Sequence, residues 1–298
     1  MKLGLFSVGY AGFWGQAKLT LPDFIARAGR LGYASVMLVG KRPHLSPLDA
    51  TPDFLQSVKS ALRAAGVSCD VIAAYTNLAQ DDPAEVPAID FQIAYVDSLV
   101  RSAAELGARF VRIFTAYDAD GLNPQAQWDR VVGAIREMCD RAAAHGVTIA
   151  IQNHHDIGLH TEALLELLAE IDRPNCRLGF DAWSPALRGE NLYEAARRAA
   201  PHAAITTNAD YIHAPRYRYR PALVNYERQS PDWVRAVPFG SGFIDYAAFF
   251  KGLRDGGFDG VATYEMCSPL RGGGSLENLD ACATKYLTWM RENNHLAR

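Results

Sequence analysis

Ile149-Ala150-Ile151-Gln152-Asn153-His154-His155-Asp156 is a short apolar, β-branched run that stops in five consecutive polar residues. A strand buried on both faces reads as a continuous apolar run, and in a closed parallel barrel its C-terminal end delivers side chains to the open mouth. The stretch therefore predicts a buried strand over residues 148–152, with Gln152 and the residues after it at that mouth.

The same alternation recurs along the chain. Apolar runs at residues 3–8, 35–39, 68–74, 110–115, 148–152, 176–181, 203–207 and 260–265 predict strands. Amphipathic runs at residues 22–31, 53–65, 89–106, 126–145, 161–171, 192–200, 246–255 and 276–292 predict the helices between and after them. Gly32, Gly66, Gly107, Gly146 and Gly256-Gly257 each follow a helical run, where a left-handed residue ends a helix. Pro174 and Pro201 stop two others, and Pro22 after Thr20 suits a helix start. Strand–helix repeats in this order predict a single-domain α/β protein, a (β/α)8 TIM barrel over residues 1–298. No GxGxxG turn follows the first strand, which argues against an open dinucleotide-binding sheet. Residues 210–242 are too long for a simple loop. With Tyr211, Arg216, Tyr217, Arg218, Tyr219, Arg220, Tyr226 and Trp233 they are expected to form an excursion over the mouth, or a contact in a homodimer or tetramer.

Composition narrows the function classes. A net charge of −3 in 298 residues does not favour a nucleic-acid partner. Cys69, Cys139, Cys176, Cys267 and Cys282 are odd in number and far apart, which points to free thiols rather than a disulfide framework or a thiolate zinc cluster. Met1-Lys2-Leu3-Gly4-Leu5-Phe6 has no signal-peptide pattern, and no apolar run approaches the roughly 20 residues of a membrane span. A cytoplasmic protein with no membrane partner is the expectation.

Reactive groups of such a barrel sit at the strand ends. Those ends hold Gly9-Tyr10, Lys41-Arg42-Pro43-His44, Tyr75-Thr76-Asn77, Arg112 with Thr115, Gln152 to Asp156, Asp181, Thr207-Asn208 with Asp210, and Glu265. A carboxylate ending a buried strand needs a partner. Glu265 is thus expected as a metal ligand or proton-transfer base, a salt bridge to Arg112 being the plain alternative; Asp181 is read likewise, against a helix cap. Gln152 offers an amide oxygen but cannot act as a base. His154 and His155 point opposite ways if the chain is extended, and His154, on the side of Gln152, is the expected catalytic one. Lys41, Arg42, His44 and Arg112 form a cationic set for a carboxylate, phosphate or sugar hydroxyls. Asn77, Asn153 and Asp210 are expected to bind substrate beside them. Arg271-Gly272-Gly273-Gly274-Ser275 is expected to form an anion nest, with Arg271 adding a donor.

Taken together, these residues resemble the sugar phosphate isomerase/epimerase family, the xylose-isomerase-like TIM barrels. The resemblance spans the opening strand, Leu31-Gly32-Tyr33, Ala104-Glu105-Leu106-Gly107, Gln152-Asn153-His154, Phe180-Asp181 and Glu265-Met266. It implies a divalent metal at the ends of strands five to eight, and a proton moved next to a ketose carbonyl between two glutamates. Its ligand positions fall on Gln152, Asp181, Thr207 and Glu265; a further histidine position falls on Ser184, and a glutamate of the second strand on Met37. With these donors, Mn²⁺ or Mg²⁺ is expected rather than Zn²⁺. The implied function is a sugar isomerase or epimerase that abstracts a proton next to the carbonyl of a ketose or keto-sugar, with His154 and Glu265 as acid and base. Gln152 removes one of the two glutamates. That suits a lyase eliminating the aglycone of a 3-keto-glycoside, as in barrels resembling C-glycoside deglycosidases, or a non-catalytic sugar-binding protein. A DNA-repair endonuclease of the same superfamily would need a histidine-rich zinc cluster and a basic face, and the sequence has neither.

Overall fold

The computed structural model describes residues 1–79 and 85–293. Eight parallel strands close a barrel: β1 (Lys2–Phe6), β2 (Ser35–Val39), β3 (Ser68–Ala73), β4 (Phe110–Ile113), β5 (Thr148–Gln152), β6 (Cys176–Gly179), β7 (Ala203–Asn208) and β10 (Val261–Tyr264), the last pairing back onto β1. The helices between and after them are α1 (Leu21–Leu31), α2 (Pro52–Ala65), α3 (Ala88–Leu106), α4 (Pro124–Ala143), α5 (Thr161–Ile171), α6 (Trp183–Leu187), α7 (Leu192–Ala199), α8 (Tyr246–Asp255) and α9 (Leu276–Glu292). The expected TIM barrel is the fold found. None of the described helices is long and apolar enough to cross a membrane.

Local chemistry sets the element ends. Thr20 and Thr51 accept from the backbone N–H groups of Asp23 and Phe54 at the starts of α1 and α2. Gly32 and Gly66 close the same helices at φ +90° and +65°, a region open to glycine at little cost.

Period-2 alternation then divides the core. Leu3, Leu5, Val36, Leu38, Val111, Ile113, Ile149 and Ile151 face outward and pack under the helices. Phe6, Met37, Val39, Val71, Ala73, Ala150 and Val261 form a separate cluster that fills the barrel. Because side chains alternate, the next inward positions after these are fixed. Arg112 lies between Ala73 and Ala150 in register; Gln152 pairs with Gly179, and Thr207 with Thr263. Asp181 and Glu265 each stand two residues beyond such a paired position.

Residues 210–242 contain a two-stranded antiparallel hairpin, β8 (Asp210–Arg220) with β9 (Asn225–Val237). Its base is buried at Tyr211 and Ala236, while Tyr217, Tyr219, Tyr226 and Trp233 are exposed. Asp210 anchors that base: Oδ2 accepts from the Gly242 N–H at 2.7 Å and Oδ1 from the Tyr211 N–H at 3.0 Å. Gly242 is packed so tightly that a Cβ there would meet Asp210 Oδ1 at 2.0 Å and the Tyr211 carbonyl oxygen at 2.4 Å. Gly242→Ala is therefore expected to cost about 1–3 kcal/mol, read as a lower denaturant midpoint with an unchanged slope. A midpoint equal to wild type would show that the anchor yields freely.

Candidate active site

The mouth of the barrel has a floor of buried polar atoms. Gln152 ends β5 and donates its Nε2 to Asp181 Oδ2 at 2.6 Å, which turns its own Oε1 away from the carboxylate. Asn153 uses both ends of its amide on the Asp181 backbone: Nδ2 donates to the carbonyl at 2.9 Å and Oδ1 accepts from the N–H at 2.7 Å. Ser184 Oγ donates to the Asn153 carbonyl. Asp181 is thus fixed from two sides, and Asn153 is a positioning residue rather than a free substrate ligand. Gln152 Oε1, Asp181 Oδ1, Thr207 Oγ1, Arg112 Nε and Trp183 Nε1 are all buried without a protein partner. Buried polar atoms are nearly always paired, so unpaired ones gathered at strand ends mark a place built to receive something polar.

Glu265 stands at the edge of this floor, partly exposed. Its N–H donates to the Asn208 carbonyl, which continues the ladder past β10. Its Oε1 accepts from the Cys267 thiol at 3.2 Å, and the Cys267 sulfur lies 3.0 Å from the Tyr211 hydroxyl. Burial raises the Glu265 carboxyl above its ordinary value; the Cys267 bond and the Arg112 charge oppose that rise only in part. Burial pushes Asp181 up to about 7, opposed by the Gln152 bond and aided by the nearby Glu265 charge. The two acids therefore see each other across the floor, and neither has an ion-pair partner among the described residues.

The histidine pair departs from the expectation. The chain does not stay extended past Gln152, because the His154 N–H donates back to the Gln152 carbonyl at 2.8 Å. His155 then takes φ +69°, and the two imidazoles pack at 4.9 Å instead of pointing apart. The His155 N–H donates to His154 Nδ1 at 2.8 Å. An Nδ1 that accepts leaves the ring proton on Nε2. Burial, then the His155 and Arg112 charges, lower His154 to about 3. With Nδ1 accepting, His154 presents Nε2–H as its donor. His155 lies over the Tyr117 ring at 3.9 Å.

An aromatic wall joins these groups. Trp183 reaches His154 at 6.0 Å between ring centroids and stacks on Tyr211 at 4.6 Å, and Tyr211 meets Cys267. These three residues are absent from the sequence-based site. Cys267 stands two residues after Glu265, the spacing that keeps the same face on an extended chain; Trp183 instead opens helix α6 directly after Asp181-Ala182, and no periodic pattern signals it.

Across the mouth, Lys41 Nζ lies 3.8 Å from the Tyr75 ring centroid, and the Arg112 guanidinium 5.0 Å from the same ring. The other cations of the expected set go elsewhere. Arg42 is exposed and pairs with Asp49 at 2.7 Å. His44 is buried against Phe24, its Nε2 3.2 Å from the Leu19 carbonyl oxygen, and burial lowers it to about 4. Both Asp210 oxygens accept from backbone N–H groups at the hairpin base. Asn77 Oδ1 accepts from the Tyr117 N–H, tying two loops together at the rim. The glycine run does not form the expected anion nest: Gly272 and Gly273 take φ +91° and +90°, and Asn278 Nδ2 donates to the carbonyls of Arg271 and Gly273 at 3.1 and 2.7 Å. A site built of carbonyls repels an anion, and Arg271 uses its own N–H on the Ala236 carbonyl.

The divalent cation implied by the resemblance can be judged by the donors. Three unpartnered buried oxygens, on Gln152, Asp181 and Thr207, together with Glu265, form a hard oxygen set of at most two negative charges. Such donors fit Mg²⁺ or Mn²⁺ held weakly. They suit zinc poorly, since the set is all oxygen and the neighbouring Cys267 is a thiol held on Glu265, and no group of three or more His, Cys, Asp or Glu side chains is placed to hold an ion among the described residues.

Comparison with known proteins agrees with this architecture. The chain resembles D-allulose 3-epimerase from Methylomonas sp., with a TM-score of 0.74, 17% identity and 98% of each chain covered. D-psicose 3-epimerase from Clostridium cellulolyticum H10 gives a TM-score of 0.74 at 16% identity, over 98% of this chain and 99% of that one. At such identities the likeness shows the fold. In sequence, a 3-dehydroshikimate dehydratase of Bacillus anthracis is 23% identical over 151 residues, 49% of this chain. The match spans about half the length of that protein, 52%. The profile of the xylose isomerase-like TIM barrels matches residues 25–292, most of the chain, so the protein belongs to that family.

Proposed function

We propose that the protein is an enzyme that removes a proton from the carbon next to the carbonyl of a polyhydroxy ketone, a ketose or keto-sugar. The observation that carries this reading is Glu265: a partly exposed carboxylate with a raised pKa, beside buried oxygens that have no partner. A base with a pKa moved toward neutrality matches the demands of enolisation better than an ordinary carboxylate. Gln152 Oε1, Asp181 Oδ1 and Thr207 Oγ1 accept the hydroxyl protons of the substrate and fix its position. His154 donates its Nε2 proton as a hydrogen bond to the carbonyl oxygen, where negative charge develops as the proton leaves. Were a divalent cation bound, Gln152, Asp181, Thr207 and Glu265 would hold it, and it would supply further polarisation of the carbonyl.

Gln152 decides the fate of the carbanion. Its amide cannot carry a proton, so a second glutamate on that face is missing. Inversion of a carbinol centre needs a base on one face and an acid on the other. One base suffices for elimination, where the proton taken from carbon is passed to the leaving oxygen. The chemistry is therefore that of a single carboxylate. A second reading, elimination of the aglycone from a 3-keto-glycoside, is favoured by Trp183, partly exposed and backed by the buried Tyr211 ring at 4.6 Å, which offers a flat face to an aromatic leaving group.

Incubation of ketoses and 3-keto-glycosides in D2O, with and without Mn²⁺, tests the reading by proton NMR. Loss of the signal of the proton next to the carbonyl, or release of an aglycone, supports it. Ligand binding with no exchange and no product across the panel would instead make the protein a sugar-binding barrel.

A further inference from the structure

The cationic side of the mouth holds two charges that have no ion-pair partner among the described residues, only the more distant attraction of Glu265 for Arg112. Arg112 is 1% exposed. Its Nη1 donates to the Ala74 carbonyl at 2.8 Å, its Nε has no partner, and its guanidinium lies 4.0 Å from the Phe114 ring centroid. Lys41 lies over the same Tyr75 ring, partly buried, with the Phe13 ring at 4.9 Å. Among the described residues neither cation has a carboxylate within ion-pair distance. Aromatic faces offer each of them modest attraction, but they do not remove the repulsion between two like charges. A buried cation held beside a second one is costly unless an anion arrives.

We propose that the substrate carries a carboxylate, bound between Lys41 and Arg112 on the β2–β4 side of the mouth, opposite Asp181 and Glu265. The free Nε edge of Arg112 is planar and matches the paired oxygens of a carboxylate. A phosphate is served less well, because it is usually cradled by backbone N–H groups, and the glycine run that might have supplied them presents carbonyls to Asn278. The polarity of the site then orients the ligand: its carboxylate lies toward Lys41, and the carbon that loses a proton lies toward Glu265. The assignment deepens the proposed proton-abstraction function and borrows from it only the position of the reacting carbon.

Binding to the intact protein tests this without turnover. Calorimetry at low salt compares D-glucuronate with D-glucose, D-gluconate with D-glucitol, and D-glucose 6-phosphate with both carboxylates. At least one carboxylate is expected to bind about tenfold or more tighter than its neutral partner and than the phosphate, and to weaken as salt rises. Lys41→Met keeps the apolar stem and is expected to remove most of that preference, costing the carboxylate far more than the neutral sugar. Equal affinity within both pairs, no carboxylate binding at all, a preference for the phosphate, or equal losses for charged and neutral ligands in Lys41→Met would overturn it. The wild-type comparison needs no variant to fold. Carboxylate preference without deuterium exchange removes the proton-abstraction reading alone; exchange without carboxylate preference removes this one alone.

Discussion

Glu265→Gln is expected to slow proton loss from the substrate by roughly 10²–10⁴-fold, the usual worth of a positioned acid–base group, with ligand affinity changed far less. Glutamine keeps the shape and still accepts from the Cys267 thiol, so the loss isolates the proton-accepting role. The wild-type rate carries a signature of its own. The base acts ionised, so activity falls as pH drops through the Glu265 pKa, which burial places above the ordinary 4.5. The Glu265 charge in turn raises Asp181, which keeps its proton more readily while Glu265 is ionised. A Glu265→Gln enzyme retaining more than about a tenth of the wild-type rate would place the base elsewhere.

The second large effect is on stability. Asp181 has a folded-state pKa of about 7 against an ordinary 3.8. Between those values the native state holds a proton that the unfolded chain has lost, so this group's contribution to stability falls as pH rises through that window. Above pH 7 the native protein carries a buried, unfavourable charge. Asp181→Asn removes it while keeping an oxygen to accept from Gln152 Nε2. The variant is expected to be more stable than wild type by about 2–4 kcal/mol at pH 8, or roughly 4–8 °C in Tm. Near pH 4 the two should converge. Carboxylates held below their ordinary range, such as Asp70 beside Lys2, act in the opposite direction, which is why the difference between the two proteins is the quantity to read. A destabilised Asn variant at pH 8 would mean that Asp181 is ionised and well compensated. Gain of stability with loss of activity would be a direct case of a site strained for its work.

Much of this site follows from alternation alone. Once residues 148–152 are read as a strand buried on both faces, Gln152 must face inward, and the same argument places Arg112, Asp181, Thr207 and Glu265. These positions are spaced by backbone geometry, which is periodic and so visible in one dimension. The strand starts were read more accurately than their ends. The first run was read to residue 8, whereas β1 stops at Phe6, because apolar inward positions continue after ladder hydrogen bonding ends.

The loop assignments fared differently, for a physical reason. Arg42, His44, Asp210 and Asn153 are polar residues near strand ends, but each is satisfied by a group that no local pattern reveals. Asp49, the Leu19 carbonyl, Gly242 and the Asp181 backbone take these roles. The hairpin was seen as an excursion and not as two strands, since both faces are exposed and Arg216-Tyr217-Arg218-Tyr219-Arg220 alternates without an apolar side to register it. Likewise, the opposite aim assigned to His154 and His155 assumed an extended chain, and the turn after Gln152 cancels that assumption.

The most direct test of single-base chemistry is the configuration of the carbon that exchanges. A ketose or keto-sugar that undergoes wash-in is recovered from D2O after extensive exchange, and NMR reads both its label and its stereochemistry. One carboxylate, with Gln152 unable to deliver a proton from the other face, predicts deuterium at that carbon with configuration retained, or an eliminated product, and no accumulating epimer. Steady formation of a deuterated epimer by the wild-type protein would contradict the account and require a second proton-transfer group across the ring.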